Sequence, residues 1–238
     1  MTWVQLAVAS GVVALGAMIQ GSIGFGVNVV AGPVLVLIDP ELVPGPALVI
    51  AFLLTVLVWV RERGATDLGG FTWVFVGRVP GTVVGALTVA ALPARGTAIS
   101  LSAIVLIAVA LSVAGWRVRR TRTALVGAGG VSGFFGTVSS VGGPPIALLY
   151  QDEAGRDVRG TLSSIFAVGA LFSIVMLVAV GRFDFGELRT SLLLLPAVVA
   201  GFVVSRWTAR LLDRGFVRPA ILALCASSAV AALVRYAI

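Results

Sequence analysis

The sequence predicts an all-α integral membrane protein of two inverted repeats, each a broken helical hairpin followed by three transmembrane helices. Three observations predict it. Of the 238 residues, 59% are hydrophobic and 11% charged, with a mean hydropathy of +1.10, whereas soluble domains average about 25% charged residues. Several apolar runs reach the roughly 20 residues that a bilayer span requires. Two stretches, Gln20–Pro33 and Ser132–Pro145, interrupt apolar runs with Gly, Ser and Pro in a similar order.

The elements follow in chain order. Residues 1–116 form the first repeat. It opens with an irregular region, Met1–Ile38, too long for one simple helix and carrying its own break. Spans follow at Leu42–Val60, Phe71–Leu92 and Thr97–Trp116. The Met-Thr-Trp start has no basic region, so the first segment reads as retained and not as a cleaved signal. Residues 117–122 are an Arg-rich linker. Residues 123–238 form the second repeat: a broken region, Thr123–Gln151, then spans at Gly160–Val180, Leu188–Val204 and Phe216–Ile238. Pro44, Pro46 and Pro219 fall near span starts, where a missing N–H costs little. Pro80 and Pro196 are interior and should kink their helices. The halves also correspond outside the breaks. The segment Pro80–Gly85 parallels Pro196–Gly201 at an offset of 116, and Gly32-Pro33 parallels Gly143-Pro144 at 111.

Arg placement bears on topology. All 17 basic residues are Arg, and the net charge of +7 is read as loop charge that orients helices, not as a nucleic-acid surface. If each broken region crosses once, giving eight spans, the sixteen Arg other than Arg78 divide nine to seven between the faces. If each is a hairpin that returns to its own face, only Arg95, Arg182, Arg189 and Arg235 leave the Arg-rich side, a division of twelve to four. That bias makes the Arg-rich face cytoplasmic and places both termini outside. Each half is then a hairpin plus an odd number of spans, so the halves are inverted. Arg counting does not separate a re-entrant hairpin from one of two full spans.

The breaks hold the candidate site. Paired interruptions at corresponding places in two halves are the best sequence pointer to a transporter's binding site, and irregular backbone at membrane depth is tolerated where it is buried or lines a cavity. Gly21, Ser22, Gly24, Gly26 and Asn28 of the first break, and Gly136, Ser139, Ser140, Gly142 and Gly143 of the second, are candidates to present backbone and hydroxyl donors to an anion. Pro33 and Pro144 are expected in the first turn of short helices whose N-termini face the site. The bland alternative is that these small residues only let helices pack closely. Arg78 is the one charge well inside a predicted span, a costly position that points to a substrate or to loosened carbonyls, with snorkelling to the interface as the alternative. Asp39, Glu41, Asp152 and Glu153 close the broken regions and read as solvated loop acids ahead of proton relays. Trp3, Trp59, Trp73, Trp116 and Trp207 read as an interfacial belt, Gly11, Gly16, Gly169 and Gly181 as packing positions, and the Arg of the linker as an anchor to anionic lipid.

The chemistry that is missing also constrains function. There is no His, and the single Cys225 can form no internal disulfide, so no Cys/His metal set and few nucleophile–base pairs exist. No cofactor or metal is expected, and the chain does not read as an enzyme.

The segments Gly21-Ser-Ile-Gly-Phe-Gly26 with Gly32-Pro33, and Gly133-Phe-Phe-Gly136 with Gly142-Gly-Pro-Pro145, resemble the TauE/SafE family of sulfite exporters, also called toluene sulfonate uptake permeases. The resemblance covers essentially the whole chain. It implies a cell-membrane transporter of a small anion, sulfite or an organosulfonate. The expected mechanism is secondary transport by alternating access, since no Walker-type phosphate loop is present. The expected partners are the anion, the lipid bilayer and a coupling proton, without nucleic acid; the oligomeric state stays open. A passive anion channel and a non-transporting scaffold subunit are the rival readings.

Overall fold

In the computed structural model, the described residues are 1–24, 26–62, 66–114, 118–151, 156–212 and 218–237. Trp116, Asp152 and Glu153, singled out above, and the first linker residue, Arg117, lie outside them. The described residues are helical with turns and contain no strand. The helices are α1 (Trp3–Ile23), α2 (Val27–Ile38), α3 (Gly45–Glu62), α4 (Leu68–Ala91), α5 (Ala94–Ala114), α6 (Arg122–Ser139), α7 (Gly143–Ala147), α8 (Arg156–Ala179), α9 (Phe185–Leu212) and α10 (Arg218–Ala237), with a single 3₁₀ turn at Pro40–Leu42. Among the described residues, six segments are long and apolar enough to cross a membrane: Trp3–Ser22, Pro40–Glu62, Leu68–Ala91, Ala94–Ala114, Asp157–Ala179 and Phe185–Thr208.

Local chemistry sets the helix limits. Thr2 and Gln5 form a capping box at the start of α1. Gly24, with φ of 104°, ends α1 in the left-handed region that favours glycine. The Asp67 carboxylate caps α4 by accepting from the Gly70 N–H at 3.1 Å, and Asp184 caps α9 by accepting from Gly186 at 2.7 Å. Pro80 and Pro196 sit inside α4 and α9. The region before Ile38 contains a 21-residue helix, α1, long enough to span unaided. One expectation changes. Pro33 lies inside α2 and not in its first turn, because α2 starts six residues earlier, straight after the left-handed Gly26. The expected first-turn proline is found in α7, where Pro144 follows Gly143.

Small residues bring the helices together. Gly77, Gly81 and Gly85 of α4 face Val126, Gly130 and Phe134 of α6 in that order, so the two helices run parallel. Gly201 of α9 faces Ala14 and Ala17 of α1, and Ser205 faces Gly21, so this pair is parallel as well. Close backbone approach of this kind drives helix association in lipid, where burial of apolar surface offers little difference. In addition, α3 packs on α8 and α5 on α10. Apolar residues such as Val76, Val84, Leu87, Val175 and Leu193 point outward. Trp3 and Trp207 are also exposed, close to the ends of α1 and α9.

Contacts identify the two ends of the bundle. At one, Arg182 donates to the Ala90 and Leu92 carbonyls at 3.0 and 2.7 Å. There too Arg95 donates to Tyr236 O at 2.5 Å, and the Tyr236 hydroxyl to Val36 O at 2.9 Å. This Arg95 end therefore gathers the C-termini of α2, α4 and α10 and the start of α5. At the other, Arg120 pairs with Asp67 at 2.9 Å and lies over the Tyr150 ring, while the Asp67 N–H donates to Thr161 Oγ1 at 3.0 Å. This Arg120 end gathers the starts of α4, α6 and α8 and the residues that follow α7.

Candidate functional site

Both breaks reach the middle of the bundle, by different local devices. In the first, Gly24 and Gly26 both take positive φ, 104° and 117°, which glycine adopts without steric cost. The chain thereby reverses within a few residues, and the Val27 N–H donates to Gln20 Oε1 at 2.8 Å. Gly16 leaves room for Val27, whose carbonyl would lie 2.8 Å from a Cβ there. In the second, Ser140 ends α6 with φ of 60°. The Ser139 hydroxyl accepts from the Val141 N–H at 3.3 Å. The chain then folds back so that Gly142 lies against Gly136 and Ser132. Pro144 and Pro145 carry no N–H, so α7 offers few backbone donors.

Arg78 stands at the centre. It lies near the middle of α4 and is 3% exposed, so it does not snorkel. Its Nη1 donates to Ser132 Oγ at 2.7 Å, and Ser132 in turn donates to Gly142 O at 2.6 Å. One hydroxyl thus ties the guanidinium to the second break. The Phe166 ring lies 5.8 Å from Cζ, a partial cation–π compensation. Gly169 of α8 makes the room: a Cβ there would overlap Nε and Cζ of Arg78. Among the described residues Arg78 has no carboxylate partner, and its buried Nε makes no hydrogen bond.

These groups border a cavity of about 40 Å³. Gly26 and Asn28 line it from the first break; Gly136, Ser140, Gly142 and Gly143 from the second; Arg78 from α4. Asn28 joins the two breaks, since its Nδ2 donates to Ser140 O at 3.2 Å and to Ala47 O at 2.9 Å. The Ser140 hydroxyl donates to Pro44 O at 2.9 Å, so α3 is tied in as well. Gln20, Leu48, Ala51, Thr55, Phe166 and Ala170 complete most of the wall. The cavity sits halfway along α3, α4 and α8.

The other candidates lie elsewhere. Gly21 packs on Ser205 and Gly24 on Arg159, both off the cavity. The Ser22 hydroxyl donates to Met18 O at 2.9 Å and meets Thr208 Oγ1 at 3.3 Å. The Ser139 hydroxyl donates to Phe135 O at 2.7 Å. Conversely, Gln20, Thr55, Ser132 and Gly169 take part without having been singled out as site residues. Ser132 and Gly169 could have been found once Arg78 was placed, because a buried guanidinium needs an acceptor and space; which residues supply them depends on the packing of α6 and α8 against α4. Asp39, by contrast, caps the 3₁₀ turn, accepting from the Glu41 N–H at 3.0 Å.

No curated protein and no solved structure is detectably similar to the chain. The model of the family described as Sulfite exporter TauE/SafE matches residues 8–232. Together with the helical membrane architecture, that match means that the chain belongs to the sulfite exporter TauE/SafE family of membrane transporters of sulfur anions.

Proposed function

We propose that the protein moves a small sulfur oxyanion, sulfite in the first place, across the cell membrane by alternating access, with the anion held at Arg78 between the two breaks. The observation that carries this reading is the buried Arg78, which borders a cavity and lacks a carboxylate partner among the described residues. A buried charge is costly unless paired, and an intramembrane Arg is by default a functional position. A guanidinium presents a planar fork that suits an oxyanion. The cavity volume of about 40 Å³ favours a compact ion over a bulky organosulfonate, since one water needs about 10–15 Å³ on such a measure.

Two inverted repeats would supply the rocking motion. Support comes from the packing scheme: α1 lies along α9 as α6 lies along α4, with α3 on α8 and α5 on α10. Exchanging the halves maps each pair onto another or onto itself. The residues after α2 reach the Arg95 end and those after α7 the Arg120 end, in keeping with hairpins that return to opposite faces. A coupling proton remains the proposed driving ion.

The test is flux and thermal stabilisation by sulfite in purified protein, in liposomes and detergent respectively. Saturable sulfite flux is expected, with stabilisation lost in Arg78→Gln. Full stabilisation and flux in that variant, at normal protein level, would remove Arg78 from the site. Conduction that never saturates would replace the transporter with a channel.

A further inference from the structure

Beside the tip of the first break lies a second set of charged groups. The Glu62 carboxylate, at the end of α3, accepts through Oε1 from Arg61 Nε at 3.1 Å and from Arg159 Nε at 3.3 Å. The Glu62 side chain is 6% exposed and those of Arg61 and Arg159 22% each. Arg61 also donates to Ser205 Oγ at 2.9 Å and to the Gly21 carbonyl, and its Cζ lies 5.0 Å from the Phe202 ring. Arg159 packs against Gly24, its Cγ 3.3 Å from where a Cβ would stand. The cluster thus grips both sides of the hairpin tip from α3, α8 and α9.

Its position relative to the cavity is regular. Thr55 lines the cavity and Glu62 lies seven residues further along α3; Phe166 lines it and Arg159 lies seven residues earlier on α8. At 1.5 Å per residue both steps are about 10 Å, toward the Arg120 end. The tip joins cavity and cluster: Gln20 and Gly26 border the cavity, while Gly21 and Gly24 touch the cluster. Within the tip, the Ser22 hydroxyl meets Thr208 Oγ1 and, at 3.4 Å, Ser205 O, so polar groups lie on the side of the cluster.

We propose that the Arg61–Glu62–Arg159 cluster is a second anion station, at which Glu62 is an exchangeable counter-ion that a departing small oxyanion replaces. The inference rests on the Arg78 reading above. A carboxylate and a sulfur oxyanion present similar oxygens to the same two guanidiniums. The two guanidiniums and one carboxylate carry one net positive charge, which an arriving oxyanion would neutralise, whereas an anion leaving Arg78 with no cation ahead of it would meet the full cost of an unpaired buried charge. Glu62 holds the tip shut in the absence of the anion. Anion at the station frees the carboxylate and releases Gly21 and Gly24, which the two Arg otherwise hold.

The experiment is a two-by-two set of full-length proteins in detergent: wild type, Arg78→Gln, Glu62→Gln and the double variant. Melting is followed against sodium sulfite, with sodium gluconate at equal ionic strength as control. Removing the carboxylate competitor should add a sulfite-dependent rise of several degrees on either Arg78 background. Equal sulfite responses with and without Glu62 on both backgrounds would overturn the proposal. The Arg78 reading is judged separately, by wild type against Arg78→Gln. If Glu62→Gln fails to fold, Arg159→Gln keeps the Arg61–Glu62 pair. It should lower sulfite flux in liposomes at least tenfold while leaving sulfite stabilisation at Arg78 intact. Unchanged flux per folded molecule would leave the cluster a structural ion pair only.

Discussion

At the scale of single residues, Arg78 is held by one hydroxyl, one ring and one missing side chain. Arg78→Lys keeps the charge but loses the planar fork, and a charge-assisted hydrogen bond contributes about 1.5–3 kcal/mol. Sulfite affinity should therefore fall by about ten- to a hundredfold, measured by sulfite-dependent thermal stabilisation; affinity within a factor of two of wild type would sink the oxyanion-fork idea. Gly169→Ala tests the space, not the charge. Its Cβ would fall on the guanidinium, so Arg78 must move off Ser132, and overpacking of this kind costs about 1–3 kcal/mol. The variant should remain in the membrane with sulfite binding weakened as in Arg78→Lys. Unaltered binding would mean that the guanidinium tolerates displacement and does not hold the anion directly.

At the scale of elements, the α4–α6 seam combines packing and site geometry. Gly77, Gly81 and Gly85 lie against backbone atoms of α6, which cannot step aside as a side-chain end can. Gly133 of α6 likewise faces Arg78 O and the Thr82 N–H, so the seam fixes the height of Arg78 relative to Ser132. Gly81→Val should lower the melting temperature of purified protein by many degrees. Gly11→Ala, where nothing lies within 4 Å, should change it by less than a degree or two. Equal melting of the two variants would show that the seam is looser than its contacts imply. The first break differs: Gly24 has φ of 104° and packs on Arg159, so Gly24→Val acts through the tip and not through the cavity wall.

At the scale of the whole molecule, the arrangement of Arg and the pairing of helices make one prediction about sidedness. With Cys225 replaced, single cysteines at Thr121 and Asp157 should be shielded from impermeant thiol reagents in intact cells, and those at Ala94 and Asp184 should react; all four positions are exposed. Labelling that separates Thr121 from Asp157 would break the inverted-repeat scheme, because the segment between them would then cross the membrane once.

The sequence by itself determined the class of protein, the apolar segments, the two corresponding breaks and the one charge well inside a predicted span, Arg78. Those follow from quantities a chain carries locally: hydropathy over about 20 residues, helix-breaking residue types, and the cost of a charge in lipid. Tertiary structure decided which break residues meet. Gly26, Asn28, Gly136, Ser140, Gly142 and Gly143 border the cavity with Arg78. Gly21 and Gly24, of the same composition, turn instead to Ser205 and Arg159. It also chose Ser132 and Gly169 as the groups that seat Arg78, and set Glu62 between Arg61 and Arg159. The reason is physical. In lipid an apolar helix gains little from facing protein in preference to tails, so hydropathy is nearly silent about which face packs where. That choice is made by small-residue contacts and hydrogen bonds between helices far apart in the chain, such as Gly21 with Ser205 and Arg78 with Ser132.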